Sequence, residues 1–161
     1  MKRILILALV FVMALAGNSF ADGKTGWAIG GAYTFDWMSG NNTSISGAAL
    51  LLKFPQIPVM WGVSARFTEP STAIGVTADW WLFQAQLVGP VSIYIGPGLY
   101  FWMITTDVSD NLGFGMRIPV GFQIFIMPAF EIFLEPALTI GFLPVLPDFG
   151  LQAAIGFRFW F

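Results

Sequence analysis

Glu131 and Glu135, two carboxylates four positions apart, form the pair in this sequence whose spacing could support acid–base chemistry. Such chemistry needs a cleft that presents a substrate to both groups. The sequence has no histidine and no cysteine, so it lacks the commonest general base and metal ligand and has no disulfide framework. The alternating pattern described below places arginines on the strands next to the one that carries these glutamates. We therefore interpret each glutamate as the partner of an arginine in a salt bridge. We therefore expect no catalytic residue, no metal site and no cofactor.

Charged residues share one placement across the whole sequence. They fall inside segments in which large apolar residues alternate with small or polar ones, and they occupy the small or polar positions. These residues are Asp36, Lys53, Arg66, Asp79, Arg117, Glu131, Glu135 and Arg158. Alternate side chains of a strand point to opposite faces, so the charges are predicted to line one common face. Four are positive and four negative, and pairing is expected because an unpaired buried charge is costly.

The segment Leu112–Ile124 (LGFGMRIPVGFQI) shows this alternation most clearly. One face would carry only large apolar side chains, and the other would carry glycines, Pro119, Gln123 and Arg117. The solvent-exposed face of a soluble β-sandwich usually carries Lys, Glu, Thr and Ser. Small residues around a lone charge suit the interior of a narrow barrel whose outside meets lipid.

Composition supports a membrane protein. Hydrophobic residues make up 57% of the chain and charged residues 10%, against roughly a quarter charged in soluble domains. Only helices or a closed barrel can satisfy the backbone in lipid. The best helix candidate, Trp80–Ile104, contains Pro90 and Pro97 and alternates with a period of two, which favours strands.

The pattern predicts an all-β fold: an eight-stranded antiparallel transmembrane β-barrel with an up-and-down meander. The predicted strands are Thr25–Trp37, Ser44–Phe54, Val59–Thr68, Ala73–Phe83, Val91–Ile104, Leu112–Ile124, Phe130–Phe142 and Leu151–Phe161. About ten residues is the length that a tilted strand needs to cross a bilayer. Gln84–Pro90 is predicted to be a loop. Trp27, Trp37, Trp61 and Trp80 would lie near strand ends on the outer face, where aromatic girdles form.

The first 21 residues have the features of a secretory signal. Lys2 and Arg3 precede a short apolar run, Ile4–Ala16, and Ser19-Phe20-Ala21 forms a small-x-small cleavage site. A single anchoring helix is the alternative, but the run is shorter than the ~20 residues that a span needs. The predicted domains are a signal peptide at 1–21 and an outer-membrane β-barrel at 22–161.

Strand order predicts which charges meet inside the barrel. Arg117 would pair with Glu135 and Arg158 with Glu131. Arg66 and Asp79 also lie on neighbouring strands and would form a third pair, but their predicted depths match less well. Inward aromatic residues would fill the rest of the lumen, since eight strands enclose little more than side chains. These residues are Trp81, Tyr94, Tyr100, Trp102, Phe133 and Trp160.

The C-terminal residues Gly156-Phe157-Arg158-Phe159-Trp160-Phe161 resemble the final-strand signal of bacterial outer-membrane barrels. The resemblance implies that Phe157, Phe159 and Phe161 form an assembly signal for the barrel-assembly machinery. The predicted 22–161 domain is similar in length and strand count to the small barrels typified by the OmpA membrane domain, OmpX and OmpW. Asp79-Trp80-Trp81-Leu82 and Gly96-Pro97-Gly98-Leu99-Tyr100 also resemble a group of small spirochaete barrels.

These observations predict a small integral protein of the bacterial outer membrane with a charge-paired, side-chain-filled lumen and a structural or interfacial role. A narrow channel or transporter for small or hydrophobic molecules is one alternative. A surface-binding module acting through the loops at Met38–Thr43 and Thr105–Asn111 is another. The expected partners are outer-membrane lipid and, during biogenesis, the assembly machinery. The mildly acidic chain has no basic patch for nucleic acid, and a monomer is expected.

Overall fold

The computed structural model describes residues 26–38, 43–68, 71–105, 110–143 and 148–161. The predicted signal peptide lies outside these ranges, as do 39–42 and 106–109, the centres of the two predicted surface loops. All regular elements in the described ranges are strands. No helix within them is long and apolar enough to cross a membrane.

The described residues form ten strand segments. They are β1 (Ala28–Met38), β2 (Thr43–Lys53), β3 (Val59–Thr68), β4 (Ser71–Trp80), β5 (Phe83–Val88), β6 (Val91–Ile95), β7 (Gly98–Thr105), β8 (Asp110–Met127), β9 (Phe130–Leu143) and β10 (Asp148–Trp160). Every pairing is antiparallel, and β10 pairs with both β1 and β9, which closes the sheet.

Ten segments make eight barrel strands because two neighbouring strands are interrupted. β4 pairs with β7 and β5 pairs with β6, so β4–β5 and β6–β7 are each one barrel strand. The breaks face one another, and the Trp80 amide donates to the Pro97 carbonyl at 2.9 Å. Between the pairs Asp79–Gly98 and Phe83–Ile95, residues 80–82 oppose residues 96–97, which is a bulge. The predicted eight-stranded antiparallel barrel is confirmed.

The strands are staggered around the barrel. Phe130 on β9 lies opposite Phe159 on β10. When the paired residues are followed from strand to strand around the barrel, the path returns to β9 at Ile140. From position 130 to position 140 this is a stagger of ten residues. Such a stagger accompanies a strand tilt of about 35–45°. It also places residues of similar position along their strands at different depths.

The prediction of a loop at Gln84–Pro90 is wrong. Most of this segment is β5, and the turn is confined to Gly89 and Pro90. Gly89 adopts a φ of 53°, which glycine tolerates because it has no Cβ. Gln84 lies opposite the buried Tyr94 on the lumen face, as a polar strand residue does.

Burial follows the predicted alternation. Along β9 exposed and buried residues alternate, with Leu138 61% exposed and Glu135 5% exposed. Three of the four predicted girdle tryptophans, Trp27, Trp37 and Trp61, are at least 36% exposed on the outer face. The barrel therefore has an apolar exterior, and its polar residues lie inside.

Candidate functional site

All eight charged residues predicted to face inward are buried in the barrel lumen. Their exposure ranges from 0% for Glu131 to 9% for Arg66. The alternation in each strand turns them away from the apolar exterior. The lumen is therefore the candidate site, and seven of these eight charges form two groups at different depths.

The larger group, which we call the central ion cluster, consists of Asp79, Arg117, Glu131, Glu135 and Arg158. Arg117 contacts Glu135 at 2.5 Å through Nη2 and Asp79 at 3.2 Å through Nε. Arg158 contacts Glu131 at 2.5 Å through Nη1 and Glu135 at 3.6 Å through Nη2. Glu135 thus connects the two arginines, and two of the three predicted pairs are present.

Aromatic rings enclose this cluster on the side where β1 begins and β10 ends. We call Trp81, Tyr94, Phe133 and Trp160 the aromatic layer. The Arg158 guanidinium carbon lies 3.6 Å from the centroid of the Phe133 ring and 5.0 Å from that of Trp81, within the range of cation–π attraction. Trp81 and Tyr94 are stacked at a centroid distance of 4.2 Å.

The aromatic layer also provides hydrogen bonds to the central ion cluster. The Tyr94 hydroxyl accepts from Arg158 Nη2 at 2.9 Å and donates to Glu135. Trp160 Nε1 donates to Glu131 at 2.8 Å. The burial of Glu131 and Arg158 is thereby compensated by partners on several strands.

The smaller charge group lies nearer the end of the barrel where β1 ends. Arg66 Nη2 contacts Asp36 Oδ2 at 2.5 Å, and the Gln152 side chain hydrogen-bonds to Asp36. We call Asp36, Arg66 and Gln152 the crossbar. The predicted Arg66–Asp79 pair is wrong, because Asp79 lies at the depth of Arg117 and pairs with it.

Glycines explain how these arginines reach their partners. Arg66 and Asp36 lie on strands separated by β2, and a Cβ added to Gly47 there would lie 2.6 Å from Arg66 Cγ. Gly98 occupies the same position between Asp79 and Arg117, where its Cβ would lie 2.9 Å from Arg117 Cγ. The missing side chains let each arginine cross the intervening strand.

The same arrangement accommodates the inward aromatic residues. Tyr94 lies opposite Gly121, and an added Cβ at Gly121 would lie 1.9 Å from Tyr94 Cζ. Trp102 lies opposite Gly113, where an added Cβ would meet the indole ring at 2.1 Å. Large lumen residues are thus paired with glycines on the neighbouring strand.

Lys53 differs from the other seven charges. It is 7% exposed, and none of the described residues forms an ion pair with it. Its Nζ lies 5.9 Å from the Trp160 ring centroid. It therefore contributes a cation at the barrel end where β2 finishes, apart from the ion-paired groups.

Two small voids adjoin the crossbar, each of about 30 Å³. The inner void lies between the crossbar and the central ion cluster, with Thr34 and Ser64 among its lining residues. The outer void lies on the other side, against Tyr100 and Trp102. Asp36, Arg66 and Gln152 line both voids. The lumen is therefore loosely filled around the crossbar.

Glu131 and Glu135 are engaged by the two arginines and by aromatic hydrogen-bond donors. This arrangement suits structural ion pairing, which was the interpretation favoured from the sequence. In the described part of the chain, no group of three or more acidic side chains is placed to hold a metal ion.

The three C-terminal phenylalanines lie outside the lumen. Phe157 and Phe159 are 45% and 41% exposed, and both contact the Phe130 ring on β9. Phe161 is 79% exposed, and its amide donates to the Trp27 carbonyl at 2.9 Å. They form an exposed aromatic strip at the seam between β9, β10 and β1.

Comparison with solved structures supports the architecture. Neisserial surface protein A matches with 13% identity and a TM-score of 0.57, over 86% of this chain and 98% of that chain. The N-terminal β-barrel domain of OprF from Pseudomonas aeruginosa matches with 13% identity and a TM-score of 0.51, over 82% and 97%. This chain has the fold of the small eight-stranded outer-membrane barrels. No protein-family model and no curated protein matches the sequence.

Sequence reasoning placed Trp81, Tyr94, Phe133 and Trp160 in the lumen but treated them as filling. It missed the hydrogen bonds from Tyr94 and Trp160 to the glutamates. It also missed Gln152 as the third member of the crossbar. The contact of Gln152 with Asp36 depends on the pairing of β1 with β10, which no local pattern specifies.

Proposed function

We propose that the protein is a small integral outer-membrane barrel with a sealed lumen and a structural or interfacial role in that membrane. The observation that supports a lumen closed to ions is the packing of the aromatic layer against Arg158 and Glu131. These two side chains are 1% and 0% exposed, and Tyr94 is 0% exposed. An ion crossing this layer would have to leave water and displace paired charges, and both steps are unfavourable.

The exterior supports a lipid environment. Outward side chains such as Leu138, Ile155 and Tyr33 are more than half exposed, and similar residues surround the barrel. A continuous apolar surface of this kind would cause aggregation in water, whereas lipid solvates it. Closure through β1 and β10 lets one chain complete the barrel, which supports a monomer.

The fold supports export to the bacterial outer membrane, and we propose that Phe157, Phe159 and Phe161 act in assembly there. Their exposure on the closing strand makes them accessible to assembly machinery. Replacing Phe161 with alanine should lower the amount of barrel recovered in outer-membrane fractions. Leu143→Ala, an exposed apolar change on β9, is the control. Equal recovery of both variants would contradict the assembly role.

Conductance in planar bilayers tests the seal. The refolded protein should give no sustained current under conditions in which a general diffusion porin does. A Trp81→Ala/Tyr94→Ala double variant should admit ions, because it removes two stacked rings from the layer. Heat-modifiable gel mobility would check that the double variant is folded. Sustained current through the unaltered barrel would contradict the sealed lumen.

The two voids favour a narrow channel as the second candidate function. A channel would require the aromatic layer to move, since both voids adjoin the crossbar and lie on one side of the layer. In the same bilayers, brief openings of the unaltered barrel that lengthen in the Trp81→Ala/Tyr94→Ala variant would identify such a channel.

A further inference from the structure

We infer that the hairpin formed by β5 and β6 is a hinged flap that opens and closes one end of the lumen. We call residues 83–95 the flap. This rests on the proposed seal, because the flap carries Tyr94, a member of the aromatic layer. The flap is the part of the seal that moves, and it pivots where the two barrel strands are interrupted.

The flap is attached to the barrel sheet along one edge only. In the described residues β5 pairs with β6 alone, whereas every other strand segment has paired neighbours on both edges. β6 in turn pairs with β8 over five residues, from Val91 opposite Ile124 to Ile95 opposite Val120. Elements with few neighbours open locally at a lower free energy than the whole fold unfolds. The flap is therefore the unit of the described sheet that can separate while the other strands stay paired.

A pivot lies where the flap joins β4 and β7. Residues 80–82 and 96–97 interrupt the two strands side by side, and the Trp80 amide donates to the Pro97 carbonyl between them. On the other side Pro119 of β8 faces this break, between the β6–β8 and β7–β8 ladders. Neither proline has an N–H to donate to a neighbouring strand. A line of weak pairing thus crosses three barrel strands at the base of the flap, and such element ends are where hinges form.

Tyr94 holds the flap closed. Its side chain points from β6 into the lumen and is 0% exposed. The hydroxyl accepts from Arg158 Nη2 at 2.9 Å and donates to Glu135, and the ring stacks on Trp81. Arg158 lies on β10 and Glu135 on β9, and the flap pairs with neither strand. Tyr94 therefore ties the free hairpin to the far wall of the barrel.

The rest of the flap does not resist this movement. Residues 83–95 include no charged side chain, and Leu87 and Val88 at the tip are 54% and 72% exposed. The central ion cluster lies on β4, β8, β9 and β10, so opening breaks none of its ion pairs. An open flap would uncover Arg158 with its carboxylates still in place, and a closed flap withdraws these charges from solution.

Hydrogen exchange of the refolded protein in lipid nanodiscs, followed by mass spectrometry, tests the inference. Tyr94→Phe removes the hydroxyl and keeps the ring. It should speed exchange of the β6 amides by about tenfold, because two hydrogen bonds to charged groups are lost. Amides of β2 and β3, which do not contact Tyr94, should keep their rates. Unchanged exchange in β6, or equal acceleration in β2 and β3, would overturn the flap.

A reversible disulfide provides the second test. The sequence has no cysteine, and Ser92 lies opposite Gln123 across the β6–β8 ladder. In the Tyr94→Phe background, an oxidised Ser92→Cys/Gln123→Cys pair should return β6 to slow exchange, and reduction should restore fast exchange. Leu50→Cys/Val63→Cys joins an opposed pair on β2 and β3, and this matched control should leave β6 exchange fast. Persistent fast exchange under the oxidised 92–123 disulfide would refute the hinge.

The exchange measurement also separates the flap from the seal, because it needs no current. Sustained current through the unaltered barrel would contradict the seal, while faster β6 exchange in Tyr94→Phe would still establish a moving hairpin. A barrel that passes no current and whose β6 exchange ignores Tyr94→Phe would be sealed without a flap.

Discussion

Two arginine–carboxylate pairs in one lumen have different surroundings. Arg158 lies against Glu131 among aromatic rings and is 1% exposed. Arg66 lies against Asp36 at the same distance of 2.5 Å, but it adjoins two voids and is 9% exposed. The distance alone therefore does not set the energetic role of a pair. Glu131 lines neither void and depends on Arg158 and Trp160 for its compensation, whereas Asp36 adjoins both voids, where water can replace a lost partner.

The largest effect is expected for Arg158→Ala. It leaves Glu131 buried without its cation and removes the contact with the Phe133 ring. The free energy of unfolding should fall by about 3–5 kcal/mol, which is typical when one partner of a buried pair is lost. Urea unfolding in detergent or liposomes would measure this. Arg158→Lys, which keeps the charge, should lose less, and a loss below about 1 kcal/mol for Arg158→Ala would contradict the account.

Gly121→Ala tests the packing of the same region. The added methyl group would lie 1.9 Å from Tyr94 Cζ, so the ring must shift. Overpacking of this kind costs about 1–3 kcal/mol, measured by the same unfolding assay. Gly31→Ala is the matched control, since its Cβ would meet its nearest atom at an ordinary 3.4 Å. Similar losses for both variants would show that the Tyr94 contact is not the cause.

Tyr94→Phe keeps the ring and removes the hydroxyl. Arg158 and Glu135 each lose one hydrogen-bond partner but keep their ion pairs. We expect a loss of about 1.5–2 kcal/mol, within the range for hydrogen bonds to charged groups. Near-ultraviolet circular dichroism should retain its aromatic signal, because the stack with Trp81 remains. A loss of that signal would indicate that the hydroxyl also positions the ring.

The smallest effect is expected for Arg66→Ala. Asp36 keeps Gln152 as a partner, and the adjoining voids leave room for water to replace the guanidinium. The loss should be about 1 kcal/mol, close to that of a solvated ion pair. A loss equal to that of Arg158→Ala would remove the distinction between the two parts of the lumen.

Most of the fold was predictable from the sequence because a lipid-facing barrel imposes a strict period of two. That period alone placed all eight charges on the lumen side. The strand character of β5 was not predictable, since Gln84 and Gln86 are as typical of a loop as of a polar strand face. Only pairing with β6 shows that the segment is a strand.

The sequence indicated the depth of each charge only coarsely. Arg66 and Asp79 lie on neighbouring strands, which suggested a pair. The stagger of the barrel brings Asp79 level with Arg117 across Gly98, and Arg66 meets Asp36 across Gly47. Both contacts join strands that are not adjacent. Strand order alone cannot reveal such contacts, although the glycines beneath them are a sequence signal that could have been used.

The pairing of large lumen residues with glycines on neighbouring strands limits how this sequence can change. Enlarging Gly121 alone would collide with Tyr94, and shrinking Tyr94 alone would open a hole beside Arg158. A joint exchange that puts tyrosine at 121 and glycine at 94 keeps the total volume. Substitutions inside the lumen should therefore be accepted as cross-strand pairs, while the lipid face can vary one position at a time.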